Sequence, residues 1–302
     1  SHSRRLCISV FFHSRAFTRA ETFRKTHEEA SCLWYDISKK QFKEITKITA
    51  AHPRGRNEAD MNKSEQYQQD IDHHFKAWKS KPPCDGINHP ASVFISDGIV
   101  CPGQWFSQKV RPLFLLKEAY HGSGDWDLIS QHLMTRDRMK KSIWRRVSEW
   151  TYGLTGTTKD AILPFPDDEA MQYFGNPWLC QAAVVNVKKS GGTSLSDMTL
   201  INHYASCDRK ELLRELELID PTVIVCGYTI SSLNIIMGET IKDYQHPNPN
   251  LYYQTTLNGH GVIVLDYYHP SNRYPAVMNY YGLVGAYQQA LIHGGIENRK
   301  SF

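Results

Sequence analysis

The sequence predicts an α/β protein, three layers α/β/α around a central, mostly parallel sheet of four to five strands, with a helical region ahead of it. Two observations carry this. Continuous β-branched runs such as Thr222-Val223-Ile224-Val225 and Val262-Ile263-Val264-Leu265 mark strands buried on both faces. Segments of helical period lie between such runs, and that alternation builds a parallel sheet between helix layers. A third observation bears on chemistry. The run Leu113-Phe114-Leu115-Leu116 passes into Lys117-Glu118-Ala119-Tyr120-His121-Gly122, and the run ending at Asp266 passes into Tyr268-His269-Pro270-Ser271-Asn272-Arg273. A parallel α/β sheet forms its ligand crevice at the carboxyl ends of its strands, so a carboxylate at one end and a histidine at another can share one cleft.

Residues 1–90 read as an accessory helical region packed on the core, and residues 91–302 as the core itself. Helices are expected over Arg19–Ser31, Lys39–Ala50 and Asn62–Lys79, and the breaker cluster Pro82-Pro83-Cys84-Asp85-Gly86 closes this part. Val93–Val100 approaches the first core strand. The core continues with strand Leu113–Leu116, loop Tyr120–Trp126, and helices Asp127–Met134 and Met139–Tyr152. Strand Gln181–Val187 follows, then helix Arg209–Leu218 with Asp208 as its cap. Strand Thr222–Cys226, helix Ser231–Met237, strand Gly261–Leu265 and helix Asn279–Ile292 complete it.

With 302 residues, 41% of them hydrophobic, the chain can bury a sizeable core. No apolar run approaches the ~20 residues that span a bilayer, and Leu6–Phe12 is too short for a secretion signal; no membrane partner is expected. Seven cysteines, irregularly spaced and without a Cys-x-x-Cys pair, read as reduced thiols inside a cell. Neighbouring His73 and His74 read as solvated residues of a polar helix, so neither a metal nor a cofactor is expected. The net charge of +4 is modest, but it is unevenly placed. Residues 1–50 hold ten Lys or Arg against five Asp or Glu, and residues 136–146 hold six against Asp137 alone. Clustered positive charge suits phosphate contact, while Met139, Ile143, Val147 and Trp150 at helical spacing equally allow the second cluster to be a helix's wet face.

Four segments, in order over residues 110–292, resemble the uracil-DNA glycosylase superfamily. Lys117-Glu118-Ala119-Tyr120-His121-Gly122 is similar to its water-activating loop, usually Gly-Gln-Asp-Pro-Tyr-His-Gly. Val184-Val185-Asn186-Val187-Lys188 resembles the strand whose asparagine reads the base, Asp220–Gly227 resembles the strand after it, and His269-Pro270-Ser271 resembles the His-Pro-Ser loop. The resemblance implies a monofunctional hydrolase that flips a nucleotide out of DNA and hydrolyses its N-glycosidic bond, leaving an abasic site. It implies a monomer with DNA as partner, cytoplasmic in a bacterial or phage-related setting rather than nuclear. The iron–sulfur members need four clustered thiolates, which this chain lacks.

Carried over residue by residue, the resemblance assigns Glu118 to orient water and face the oxocarbenium-like sugar. It assigns His269 to donate to the base oxygen as charge moves onto it. Asn186 would read the Watson–Crick edge, since an amide offers a donor and an acceptor side by side. Tyr120 would crowd position 5 of a pyrimidine, Lys117 would line the base site, and Trp126 would stack on the extruded base, with Phe174 and Trp178 as further stacking candidates. Lys188, Lys189, Ser271, Asn272 and Arg273 would contact the DNA backbone. Glu118 replaces the usual aspartate, and Lys117 and Ala119 also depart from the pattern. Arg273 stands where many members carry an apolar wedge. These departures leave two substrates open: uracil or a related damaged base in repair, or a bulky modified pyrimidine in defence against phage DNA. The rival reading is a module that keeps the fold and binds nucleic acid or an effector without chemistry.

Overall fold

The computed structural model describes residues 58–120, 122–134, 142–166, 177–193, 195–241 and 251–293. The helices expected over Arg19–Ser31 and Lys39–Ala50, the basic stretch 136–141 and Phe174 lie outside them. In chain order the elements are α1 (Glu58–Lys79), β1 (Ile95–Ser96), β2 (Gly98–Ile99), α2 (Pro102–Trp105), β3 (Pro112–Tyr120), β4 (Trp126–Asp127), α3 (Ser142–Gly156) and β5 (Ala183–Gly192). Then come α4 (Met198–Cys207), α5 (Arg209–Ile219), β6 (Val223–Gly227), α6 (Ile230–Ile236), β7 (Tyr252–Leu257), β8 (His260–Tyr267) and α7 (Ala276–His293).

The fold is α/β, and its main sheet is mixed and has six strands in the order β2-β5-β3-β6-β8-β7. The inner strands β5, β3, β6 and β8 are parallel to one another, and β2 and β7 run antiparallel on the two edges. The expected four to five strands therefore become six. The two-residue β2 is too short to register as a pattern. In β7, buried and exposed residues alternate, which is how an edge strand reads, not a strand covered on both faces.

The side-chain period of two splits the inner strands between two cores. Leu113 and Leu115 of β3, Val185 and Val187 of β5 and Ile224 of β6 face α1, α4, α5 and α6. Phe114, Leu116, Val184 and Val225 face α3 and α7 on the other side. A fully buried Leu, Val or Phe contributes about 1.5–3 kcal/mol, so burial on both faces holds the strands firmly. Helix α1 belongs to this body: Tyr67, Ile71 and Trp78 are part of the first core, and the compact unit runs from Asn57 to Phe302. The unit that contains the sheet thus begins well before residue 91.

Several local expectations change. Strand β3 continues through Tyr120, with a register shift between Glu118 and Tyr120, and β5 continues through Gly192. Segments expected as loops are therefore strand. The expected helix Asp127–Met134 is a short strand followed by a π-helical turn, Ile129–Leu133. Asp208 precedes α5 but makes no side-chain cap. Its carboxylate takes the ammonium of Lys81 at 3.0 Å and lies 2.9 Å from His89 Nε2. Burial opposes that charge, yet the bonds from His89 and Lys81 hold its pKa below the usual range. The expectation of reduced thiols throughout is also corrected: Cys101 is joined to Cys180, which ties the start of α2 to the turn before β5. His74 is a structural residue, with Nε2 2.9 Å from Glu211 O. No cluster of three metal-ligating side chains occurs among the described residues, and no described helix is long and apolar enough to cross a membrane.

The extension of β5 decides the fate of its two lysines. Lys188 follows Val184 and Asn186 on one face, and Lys189 follows Val185 and Val187 into the other core. Lys189 is fully buried. Its ammonium bonds Asp97 and Glu215 and lies 5.4 Å from the Trp78 ring centre. Lys189 is consequently a core cation and not a phosphate contact at the cleft mouth. Burial works against its charge, but Asp97 and Glu215 hold its pKa above the usual value. Removing one partner of such a buried group costs about 3–5 kcal/mol. Lys189→Ala should therefore lower the urea midpoint severely at pH 7. Burial already raises the Glu215 pKa well above the usual range, so with Lys189 gone that carboxyl can take a proton, and the variant's deficit should shrink as pH falls towards 4. A deficit that is small, or that does not depend on pH, would contradict this account.

Candidate functional site

The carboxyl ends of β3, β5, β6 and β8 open into one cleft of about 1060 Å³. Its lining includes Lys117, Glu118, Tyr120, Trp126, Asn186, Tyr228, His269, Ser271 and Asn272. Glu118, Asn186 and His269 come from three different strands or strand ends, and parallel pairing sets them together. Leu116 of β3 lies opposite Asn186, and Glu118 opposite Lys188. His269 follows β8 by two residues.

Glu118 is nearly buried, and its Oε2 accepts the ammonium of Lys188 at 2.5 Å. Lys188 also donates to Gly191 O at 2.9 Å. The ion pair fixes the carboxylate's rotamer, and Oε1 has no hydrogen-bond partner among the described residues. Lys188 is thereby corrected from a DNA contact to the partner of Glu118. Glycine at 192 makes room for the pair: a Cβ there would run into Glu118 Cγ and Cδ and lie 2.8 Å from Oε2.

Asn186 is buried, and both its main-chain N and its Nδ2 donate to Asp97 Oδ2, at 2.8 and 3.0 Å. Asp97 was not anticipated: the sequence shows a carboxylate between Ile95 and Ile99, and only the structure shows it buried.

His269 is half-buried. Ser271 N donates to its Nδ1 at 3.2 Å, and Ser271 Oγ lies 2.7 Å from the same atom. Nδ1 is an acceptor, so the ring proton sits on Nε2. The Ser271 hydroxyl donates a hydrogen bond to the imidazole. Asn272 is also bonded within the loop. Its Nδ2 donates to His269 O and Asn279 Oδ1, and its Oδ1 accepts from Tyr274 N and Asn279 Nδ2. Arg146, grouped by sequence with the basic cluster, is buried and binds the loop carbonyls of Pro270, Asn272 and Tyr274. Ser271 and Asn272 thus position His269, and both also line the cleft. Gly227 permits the close fit, since a Cβ there would lie 3.3 Å from His269 Cδ2.

The remaining residues divide. Tyr120 lines the cleft but is 73% exposed, so it stands at the rim. Lys117 Nζ lies 5.3 Å from the Tyr228 ring centre. Trp126 lines the cleft, with Nε1 buried and without a hydrogen-bond partner among the described residues. Trp178 instead packs against Tyr152 at 5.1 Å and is absent from the lining. Arg273 is exposed, beside the cleft loop. Two rim residues were not anticipated. Tyr228 adopts φ +62°, a conformation rare for a non-glycine residue, and Leu195 is 87% exposed. No family model matches the chain, and no curated protein matches it.

Burial, aided by the charge of Lys117, lowers the His269 pKa to about 4. The imidazole is therefore neutral near pH 7 and offers Nε2–H. Folding favours this neutral form. Its contribution to stability is complete above the unfolded value of about 6.5 and is lost as pH falls through about 4. Nitrogen-15 NMR should find the Nε2–H tautomer from pH 8 down to roughly 5. Protonation with a midpoint near 6.5 would refute the assignment.

Proposed function

We propose that this chain is a monofunctional DNA glycosylase of uracil-DNA-glycosylase-like fold. It takes a uracil-like or modified pyrimidine nucleotide from the helix into the cleft and hydrolyses its N-glycosidic bond. The observation that carries this reading is the meeting of Glu118, Asn186 and His269 in a single cleft at parallel strand ends. The strand order β5-β3-β6-β8 supports it, because it puts the carboxylate on a central strand between the amide and the histidine.

The division of labour follows from charge. As the glycosidic bond breaks, the sugar becomes positive and the base negative. Glu118 faces the sugar, and its open Oε1 accepts a proton from the attacking water. Neutral His269 donates Nε2–H to the base oxygen; such a fixed donor is strongest in a dry site. Asn186 pairs with the base edge. The water adds to the sugar carbon, the base leaves with the bonding electrons, and an abasic site remains.

At about 1060 Å³ the cleft slightly exceeds the ~300–1,000 Å³ range of small-molecule sites, and Tyr120 stands out at the rim. Both features favour a pyrimidine with a large 5-substituent, and with it a defence role against phage DNA carrying modified bases. Repair of uracil or a damaged base is the alternative substrate for the same machinery. In this reading the chain works on DNA in a bacterial or phage-related cytoplasm rather than in a nucleus. One chain supplies all three groups, which suits a monomer. Backbone contact falls to Lys117 and Arg273, now that Lys188 and Lys189 are engaged in ion pairs.

The deciding experiment offers DNAs carrying uracil or 5-substituted pyrimidines and detects abasic sites. Wild type should act on one of them, and Glu118→Gln should slow cleavage by about 10²-fold or more while still binding DNA. Binding without cleavage of any base would favour the non-catalytic module. Arg273→Ala should slow paired DNA more than single strands if Arg273 fills the vacated stack. Equal slowing on both would make it an ordinary phosphate contact.

A further inference from the structure

We propose that Asp97 is the positioning residue that decides which pyrimidine edge Asn186 accepts; the substrate class rests on the glycosylase reading above. An asparagine amide can rotate by half a turn and exchange Oδ1 for Nδ2. A 4-keto pyrimidine presents an N3–H donor beside an O4 acceptor. A 4-amino pyrimidine presents an N3 acceptor beside an N4–H donor. A freely turning amide serves both edges; a locked one serves one and opposes like with like on the other.

Asp97 supplies the lock. A carboxylate only accepts hydrogen bonds, so the side of Asn186 that meets it must be Nδ2, bonded at 3.0 Å. The half-turned amide would set Oδ1 against Oδ2 and leave both buried. Asp97 cannot swing aside, because the same Oδ2 accepts Asn186 N at 2.8 Å and Oδ1 accepts Lys189 Nζ. The Asp97 side chain is 0% exposed, so water cannot replace a lost partner. Asn186 Oδ1 has no hydrogen-bond partner among the described residues, and Asn186 lines the cleft.

The surrounding charges make the inference testable. Lys189 bonds two carboxyls, those of Asp97 and Glu215. Burial raises the Glu215 pKa well above the usual range, and the charge of Asp97 adds to the rise. Asp97→Asn leaves Glu215 as the carboxyl bonded to Lys189, and Glu215→Gln leaves Asp97. Each variant removes one of the two carboxyls that bond Lys189. Only the first removes the lock on Asn186.

The experiment titrates nitrogen-15-labelled wild type, Asp97→Asn and Glu215→Gln with free uracil and free cytosine, following the Asn186 side-chain amide signals, with thermal melts to verify folding. Wild type and Glu215→Gln should both prefer the same one of the two bases, by about tenfold or more. In Asp97→Asn the preference should fall towards unity. Unchanged preference in Asp97→Asn overturns the inference, as does equal loss in Glu215→Gln, or a wild type that responds to neither base. If Asp97→Asn does not fold, slow exchange of the Asn186 amide protons in wild type and Glu215→Gln supports the lock, and fast exchange overturns it. A parallel assay measures cleavage of strands carrying each base. If nothing is cleaved but the titrations behave as expected, the glycosylase reading fails and the role of Asp97 stands.

Discussion

Lys189 reaches from β5 towards Asp97, which lies between β1 and β2, and towards Glu215 of α5. Taking charged groups out of water costs several kcal/mol per ion, and the attraction returns this only when the geometry is good. The surrounding elements therefore have little freedom. The edge strand β2, the helix α5 and the end of β5 must keep one arrangement, or the cost is no longer offset. Asp97 carries that rigidity across the sheet, because its second oxygen holds Asn186. A core ion cluster on one face thus fixes an amide that opens on the other.

The other two groups of the cleft are held by the same kind of device. Glu118 is held by Lys188, with Gly192 leaving space for the side chain. His269 sits on a loop whose carbonyls are gathered by Arg146 and whose Asn272 is locked to Asn279 of α7. Each cleft residue rests on a partner that is itself buried or fully bonded. Placement of this kind reduces the reorganisation needed when charge moves during a reaction. It also explains why residues that look like surface cations or loop polars in the sequence are withdrawn from solvent.

The open parts of the cleft contrast with that support. Glu118 Oε1, His269 Nε2 and Asn186 Oδ1 are without hydrogen-bond partners among the described residues, while their neighbouring atoms are bonded. Tyr120, Tyr228 and Leu195 stand at the rim with large exposed surfaces. A rigid, polar floor under an apolar rim suits a flat, edge-reading ligand such as a nucleobase, whose faces are apolar and whose edge carries donors and acceptors.

The sequence by itself determined the α/β class, the inner strands and the residues at their ends. Burial on both faces demands continuous apolar runs, and such runs are legible one segment at a time, as in Leu113–Leu116 and Thr222–Cys226. It also pointed to Glu118, Asn186 and His269, which line one cleft. The length of β5 was decided only by the tertiary structure, because Lys188 to Gly192 has no apolar pattern and is strand through its pairing with β3. That extension sends Lys188 to Glu118 and Lys189 into the opposite core. The roles of Asp97, Arg146 and Ser271 were equally beyond local reading. Each depends on a partner far away in the chain or on the hydrogen-bond state of a neighbour, and a charged side chain looks the same in sequence whether it meets water, a phosphate or a buried counterion.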